Sequence, residues 1–132
     1  MERLKERIAI AKKALKSFEE STKPAKPNSI ERDAAIQRFE YTVEAVWKAA
    51  QRYLQLIEGV DEGSPKGVIR RLREVGILEE SAASSALEMI DHRNLTVHTY
   101  NEALAEEIFR HLPAYVRLLQ ILLTQIEKRL KS

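Results

Sequence analysis

The densest chemistry in the chain lies in the run Asp91-His92-Arg93-Asn94-Leu95-Thr96-Val97-His98-Thr99-Tyr100-Asn101, where nine of eleven side chains can hydrogen-bond or ionise. Arginine presents a planar fork of donors that fits a phosphate. Histidine takes and gives protons near neutral pH. Together these two groups suffice, without a metal, to cleave RNA. The imidazole removes the proton of a ribose 2′-hydroxyl or protonates the leaving oxygen, and the guanidinium neutralises charge building on phosphorus. Acid–base help of this kind is worth ~10²–10⁴ in rate. A well-placed charge donor adds ~10²–10³. One histidine cannot easily serve as both acid and base, so a second copy from another subunit would help. Spacing alone does not single out this chemistry. An Arg and a His five apart occur by chance in many helical proteins. The same residues fit structural roles, His98 capping a helix end and Tyr100 stapling the turn to the last helix.

Whether Arg93 and His98 can act together depends on the backbone between them. On a continuous helix, five residues at about 100° each place them roughly 140° apart, on different faces. Thr96, Val97 and Thr99 are β-branched and weaken helix there, and Asn101 can cap a new one. A break after about Asn94 or Leu95 would let both groups reach one cleft.

The rest of the chain reads at helical period. Leu4, Ile8, Ala11, Leu15 and Phe18 form the stripe of a first helix. Lys23-Pro24-Ala25-Lys26-Pro27-Asn28 ends it, with Ser29 the expected N-cap of a long second helix. Ile36, Phe39, Val43, Val46, Trp47, Ala50, Leu54 and Ile57 are the buried face expected for that helix, and Gly59 to Gly63 end it. Ser64-Pro65 restarts a short helix that Gly76 stops. A fourth helix is expected over about Glu80 to Asn94, with Ala83, Leu87 and Ile90 inward. The last carries Leu104, Ile108, Leu112, Tyr115, Leu119, Leu122, Ile126 and Leu130, with Pro113 expected to kink it. No segment alternates with period two over a strand's length. The expected fold is all-α: an antiparallel up-and-down bundle of four to five helices, in one domain over residues 1–132.

Composition narrows the function classes. Apolar residues make up 44% and charged residues 32%, a globular balance. The chain has no cysteine, which removes disulfides and thiolate metal sites and agrees with a cytoplasmic location. No apolar run approaches the ~20 residues of a membrane span. With 22 basic and 20 acidic residues the net charge is only +2, so nucleic-acid contact would need a local patch. Lys66, Arg70, Arg71 and Arg73 are the candidate RNA-binding cluster, and a solvated helix face is the competing reading. There is no glycine-rich phosphate loop and no His-Glu-x-x-His helix. Glu106-Glu107 lacks a metal-spaced histidine, and His92 and His111 read as surface or boundary residues. No metal and no cofactor is expected.

Arg93-x4-His98-x-Tyr100 resembles the signature of HEPN domains, specifically the HepT-like proteins also called the nucleotidyltransferase substrate-binding family. Gln37-Arg38-Phe39-Glu40-Tyr41-Thr42-Val43-Glu44-Ala45-Val46-Trp47-Lys48 looks like that family's second helix, and Ser64-Pro65-Lys66 through Gly76-Ile77-Leu78 fits as well. Coverage is about residues 30–112. One departure is Ala83-Ser84-Ser85, where many relatives carry a tryptophan; the motif is intact. The resemblance implies a homodimer and a cognate minimal nucleotidyltransferase as partner. It implies a toxin of a toxin–antitoxin pair, a metal-independent ribonuclease using Arg93 and His98 from two subunits. The antitoxin would silence it by adding AMP to Tyr100. The alternative it implies is a non-catalytic subunit that binds substrate for the nucleotidyltransferase.

Overall fold

A computed structural model describes residues 1–131. The chain forms α1 (Glu2–Ser21), α2 (Ser29–Tyr53), α3 (Pro65–Glu74), α4 (Glu80–Leu95) and α5 (Glu102–Lys131). A π-helical turn, Leu54–Glu58, extends α2, and a 3₁₀ turn, Thr96–His98, follows α4. There are no strands among the described residues. The architecture is an antiparallel helical bundle, as the periodicity predicts. No described helix is long and apolar enough to cross a membrane.

Helix α2 is the central element, packed against α1, α3, α4 and α5. Its apolar stripe meets those of α1 and α5 in one core that includes Leu4, Phe18, Phe39, Val43, Ile108 and Leu119. Phe39 links the helices through its ring, 5.8 Å from Phe18 of α1 and 5.5 Å from Tyr115 of α5, stacked on the latter. Helix α5 runs on through Pro113, whose ring removes the N–H that would have bonded to the carbonyl of Phe109.

Three local expectations are corrected. The N-cap of α2 is Asn28, not Ser29: Asn28 accepts from the Glu31 amide at 2.8 Å and Glu31 accepts from the Asn28 amide at 3.0 Å, a capping box. Ile57 is 41% exposed rather than buried. The π turn explains this, because widening the helix to an i→i+5 bond carries residues after Leu54 out of the 3.6-residue register. Gly59, at φ +68°, closes the turn, a backbone region open to glycine without strain. Leu87 is only half-buried.

Polar ties fix the ends of the long helices. Tyr53 donates to Glu58 at 2.5 Å, and Arg129 of α5 donates to the same carboxylate at 3.2 Å. Burial, then the bond to Glu58, pushes the Tyr53 phenol up to about 12. At the opposite end of α2, Arg32 donates to Glu102 at 2.7 Å and to Asp33 at 3.1 Å, joining the first turns of α2 and α5. The Arg32 hydrogen bond holds the Glu102 carboxyl below its ordinary 4.5. A carboxyl lowered in the folded state stabilises above its unfolded pKa and loses that contribution as pH falls through the folded one. Glu102→Gln should therefore lower the urea midpoint at pH 7, and the gap from wild type should close on acidification below the folded pKa of Glu102. A gap independent of pH would assign the effect to packing instead.

Candidate functional site

Helix α4 ends at Leu95, close to where the β-branched cluster predicts a break. The stop is built from side-chain caps. Buried Thr96 donates its hydroxyl to the Arg93 carbonyl at 2.7 Å, and Thr99 donates to the Thr96 carbonyl at 2.9 Å. Each hydroxyl adds a second bond to a carbonyl that already accepts from the amide of the same threonine, reinforcing the tightened last turn. Asn101 then caps α5, its side chain accepting from the Leu104 amide at 3.1 Å, as the sequence predicts.

This arrangement sends the motif residues to different surroundings. Arg93, one-quarter exposed, turns toward α2, its Nη2 3.8 Å from Glu44 Oε1. Glu44 is held in turn by the Trp47 indole, which donates at 3.2 Å, and by Lys48 at 3.6 Å. At 3.8 Å the Arg93–Glu44 pair is an electrostatic tether and not a hydrogen bond. The buried Arg93 Nε has no partner, the kind of unsatisfied donor that native cores rarely keep without a role. His98 is exposed and Tyr100 is 82% exposed. Their side chains meet edge to face, with Tyr100 Oη 3.4 Å from His98 Nδ1. The structure thus brings His98 and Tyr100 together and ties Arg93 to Glu44, a residue that sequence reasoning did not single out. Tyr100 packs against no core here, contrary to the staple reading. Leu95 and Val97 add exposed apolar surface beside the motif, at 39% and 66%.

The basic cluster is partly neutralised. Lys66 pairs with Asp91 at 2.5 Å, two residues before Arg93, and Arg71 pairs with Glu62 and Glu74. Arg70 and Arg73 are exposed and join no ion pair among the described residues.

A second constellation was missed. His92 and His111 are half-buried boundary residues, within what the sequence suggests, but their pairing was not foreseen: their ring centroids are 4.6 Å apart. His92 Nδ1 lies 2.5 Å from the Tyr115 hydroxyl. Burial, and secondarily the neighbouring His111, lowers the His92 pKa. Burial raises that of Tyr115. Glu88 completes the group. The available sequence signal was Glu88 and His92 four apart on one helix face. The partner on α5 was not legible without the packing of α4 on α5. This group borders a groove of about 660 Å³ between α4 and α5, lined by Leu78, Ala82, Glu88, His111, Tyr115 and Ile121 among others. Arg93, His98 and Tyr100 do not line it.

The family model "Nucleotidyltransferase substrate binding protein like" matches residues 6–128. A protein of Thermus thermophilus, known from its crystal structure, is 56% identical, with 88% of this chain and 98% of that chain covered and a TM-score of 0.86. A Haemophilus influenzae protein, described as revealing the fold of a substrate binding domain of a nucleotidyltransferase, is 21% identical. There 91% of this chain and 98% of that chain are covered, with a TM-score of 0.75. A tri-AMPylated HEPN toxin of Shewanella oneidensis, solved with its MNT antitoxin, is 16% identical, with 95% and 96% covered and a TM-score of 0.76. The last two likenesses are likenesses of fold. The chain has no match among curated proteins.

The Thr96 cap is directly testable. Thr96→Val keeps the shape and removes the hydroxyl, so it should cost about 0.5–1.5 kcal/mol. Amide exchange at Thr99 and Asn101 should quicken as the turn loosens. Unchanged exchange at both amides would mean that the hydroxyl does not hold the turn.

Proposed function

The chain belongs to the nucleotidyltransferase substrate binding protein-like family, and on that premise we propose that it is the toxin of a toxin–antitoxin pair. In this reading it is a metal-independent ribonuclease of the HepT-like kind, acting as a homodimer and silenced by a cognate minimal nucleotidyltransferase. The observation that carries the reading is the break at Leu95: it separates the tethered Arg93 from an exposed His98 and Tyr100. An outward-facing site with exposed Leu95 and Val97 beside it suits closure by a second copy. A two-fold contact there would bring two arginines and two histidines into one groove, supplying both the acid and the base.

In the dimer, one His98 takes the 2′-hydroxyl proton and the other protonates the 5′-oxygen as the phosphorus–oxygen bond breaks, leaving a 2′,3′-cyclic phosphate. Arg93 neutralises the phosphorane. Glu44 is a positioning residue, holding the guanidinium from behind without occupying its donors. Lys66, Arg70, Arg71 and Arg73 are the proposed RNA-binding cluster, with Arg70 and Arg73 the charges left most available to phosphate.

Tyr100 is the proposed switch. Nucleotidyl transfer from ATP would join its phenolic oxygen to the α-phosphorus and release pyrophosphate. The added phosphodiester brings negative charge beside His98 and competes with an RNA phosphate for Arg93. An exposed phenol on an irregular segment is open to a modifying enzyme.

A second reading, a non-catalytic substrate-binding subunit of a two-component nucleotidyltransferase, is favoured by the family description and by the Haemophilus influenzae likeness. RNA cleavage by the purified chain in EDTA separates the two. Wild type should cut and leave a cyclic phosphate, with His98→Ala slower by ~10²–10⁴ and Arg93→Ala by ~10²–10³. Mixing these two variants should restore little activity, because a hybrid dimer holds one His98 where the mechanism uses two, and light scattering should show the dimer at micromolar concentration. Equal cleavage by wild type and His98→Ala would end the mechanism. Intact RNA with every protein would favour the substrate-binding subunit.

The switch has its own test. Wild type and Tyr100→Phe are incubated with the cognate nucleotidyltransferase and ATP, then weighed intact. Wild type should gain the mass of AMP, and Tyr100→Phe should not, while remaining folded and bound to the partner. Equal gains would place the modification elsewhere.

A further inference from the structure

We propose that Glu88, His92 and His111 form a site for a divalent transition-metal ion of the zinc class, open to the groove between α4 and α5. One ligand atom from each side chain lies within 4.8 Å of the other two. Bonds of about 2.0–2.2 Å place the ligand atoms of a tetrahedral zinc roughly 3.3–3.6 Å apart. The group is therefore slightly open, and modest side-chain adjustment closes it. Glu88 and His92 stand one turn apart on the same face of α4. His111 comes from α5, so an ion bound here would staple the two helices.

Burial and His111 lower the His92 pKa, keeping the imidazole neutral as a metal ligand must be, while Glu88, Glu107 and Asp91 bring negative charge to the same group. Tyr115, stacked on His111 at 5.8 Å and hydrogen-bonded to His92, holds both rings against α5. Such outer partners fix the orientation of ligating imidazoles. Glu88 and His111 line the groove, which gives an entry path and leaves a coordination position facing solvent. Two imidazoles and one carboxylate make a borderline donor set. It suits zinc, cobalt(II) or nickel(II) and not magnesium or calcium, which take oxygen ligands. The chain has no cysteine to compete.

This site lies apart from Arg93, His98 and Tyr100 and serves no step of the proposed RNA cleavage. That cleavage is assayed in EDTA, so either proposal can fail alone. To test the metal site, protein stripped with EDTA and exchanged into chelator-free buffer is titrated with zinc chloride by calorimetry. Cobalt chloride is followed in parallel by visible absorption. One zinc per chain should bind at micromolar concentration and raise the thermal midpoint, and cobalt should give the d–d bands of a nitrogen–oxygen site. Glu88→Gln, at an exposed position tolerant of the change, should weaken binding at least tenfold. His111→Ala should abolish it, and His98→Ala should leave it unchanged. No saturable binding to wild type would overturn the proposal. Equal binding by wild type and Glu88→Gln would also overturn it, by placing the ion elsewhere.

Discussion

The hydroxyl of Thr96 on the carbonyl of Arg93 decides what this surface can do. Continued α-helix would have carried His98 roughly 140° around the axis from Arg93; the 3₁₀ turn ends the helix instead, with Arg93 tethered to Glu44 and His98 exposed beside Tyr100. The β-branched residues weaken the helix, and the threonine hydroxyls then reinforce the 3₁₀ turn by adding second bonds to the carbonyls of Arg93 and Thr96. Asn101 reopens the helix only three residues beyond His98. Little irregular backbone is therefore exposed, and what is exposed carries His98 and Tyr100. The constraint is local, yet it needs the bundle. Thr96 is 4% exposed, so the turn is pinned by burial as well as by its bonds.

Helix α2 supplies the complementary rigidity. Its Phe39 face anchors α1 and α5, and its Glu44 faces Arg93. A fully formed ion pair would have occupied the guanidinium and competed with a phosphate. The observed separation restrains Arg93 while leaving its donors largely unspent. Exposed ion pairs stabilise by at most about 1 kcal/mol. The pair is therefore better understood through its effect on where Arg93 points than through its contribution to stability.

The bundle was legible in the sequence because its signals are redundant. Helical periodicity runs through every segment, and Pro and Gly independently mark the breaks before α2, α3 and α4. The π turn was not legible. Its sequence, Leu54 to Glu58, carries no marker, and the Glu58 contacts with Tyr53 and Arg129 depend on a residue 71 positions away. The same limit hid Glu44 and the group around His92. Arg93 and His98 could be singled out because their chemistry is concentrated in one stretch of chain. The partners of Arg93 and His92 are distant, on α2 and α5 respectively, and one-dimensional spacing does not encode which helices pack together.

His92 and Arg93 are neighbours in sequence but about 100° apart on the helix, so the last turns of α4 present different chemistry on two sides. On one side the polar groups find their partners within the chain: His92, Tyr115 and His111 are packed together at the edge of the groove between α4 and α5. The other faces outward: Arg93 is tethered to Glu44 only across 3.8 Å, and His98 and Tyr100 touch each other at only 3.4 Å while remaining exposed. Polar groups left so in one chain are inexpensive in water and become effective when a second surface excludes that water. A site of this form gains its strength from what covers it. Under the proposed function, acid–base chemistry and modification fall on the same few residues for this reason: the exposure that would let an RNA or a second copy reach His98 also leaves Tyr100 open to a modifying enzyme.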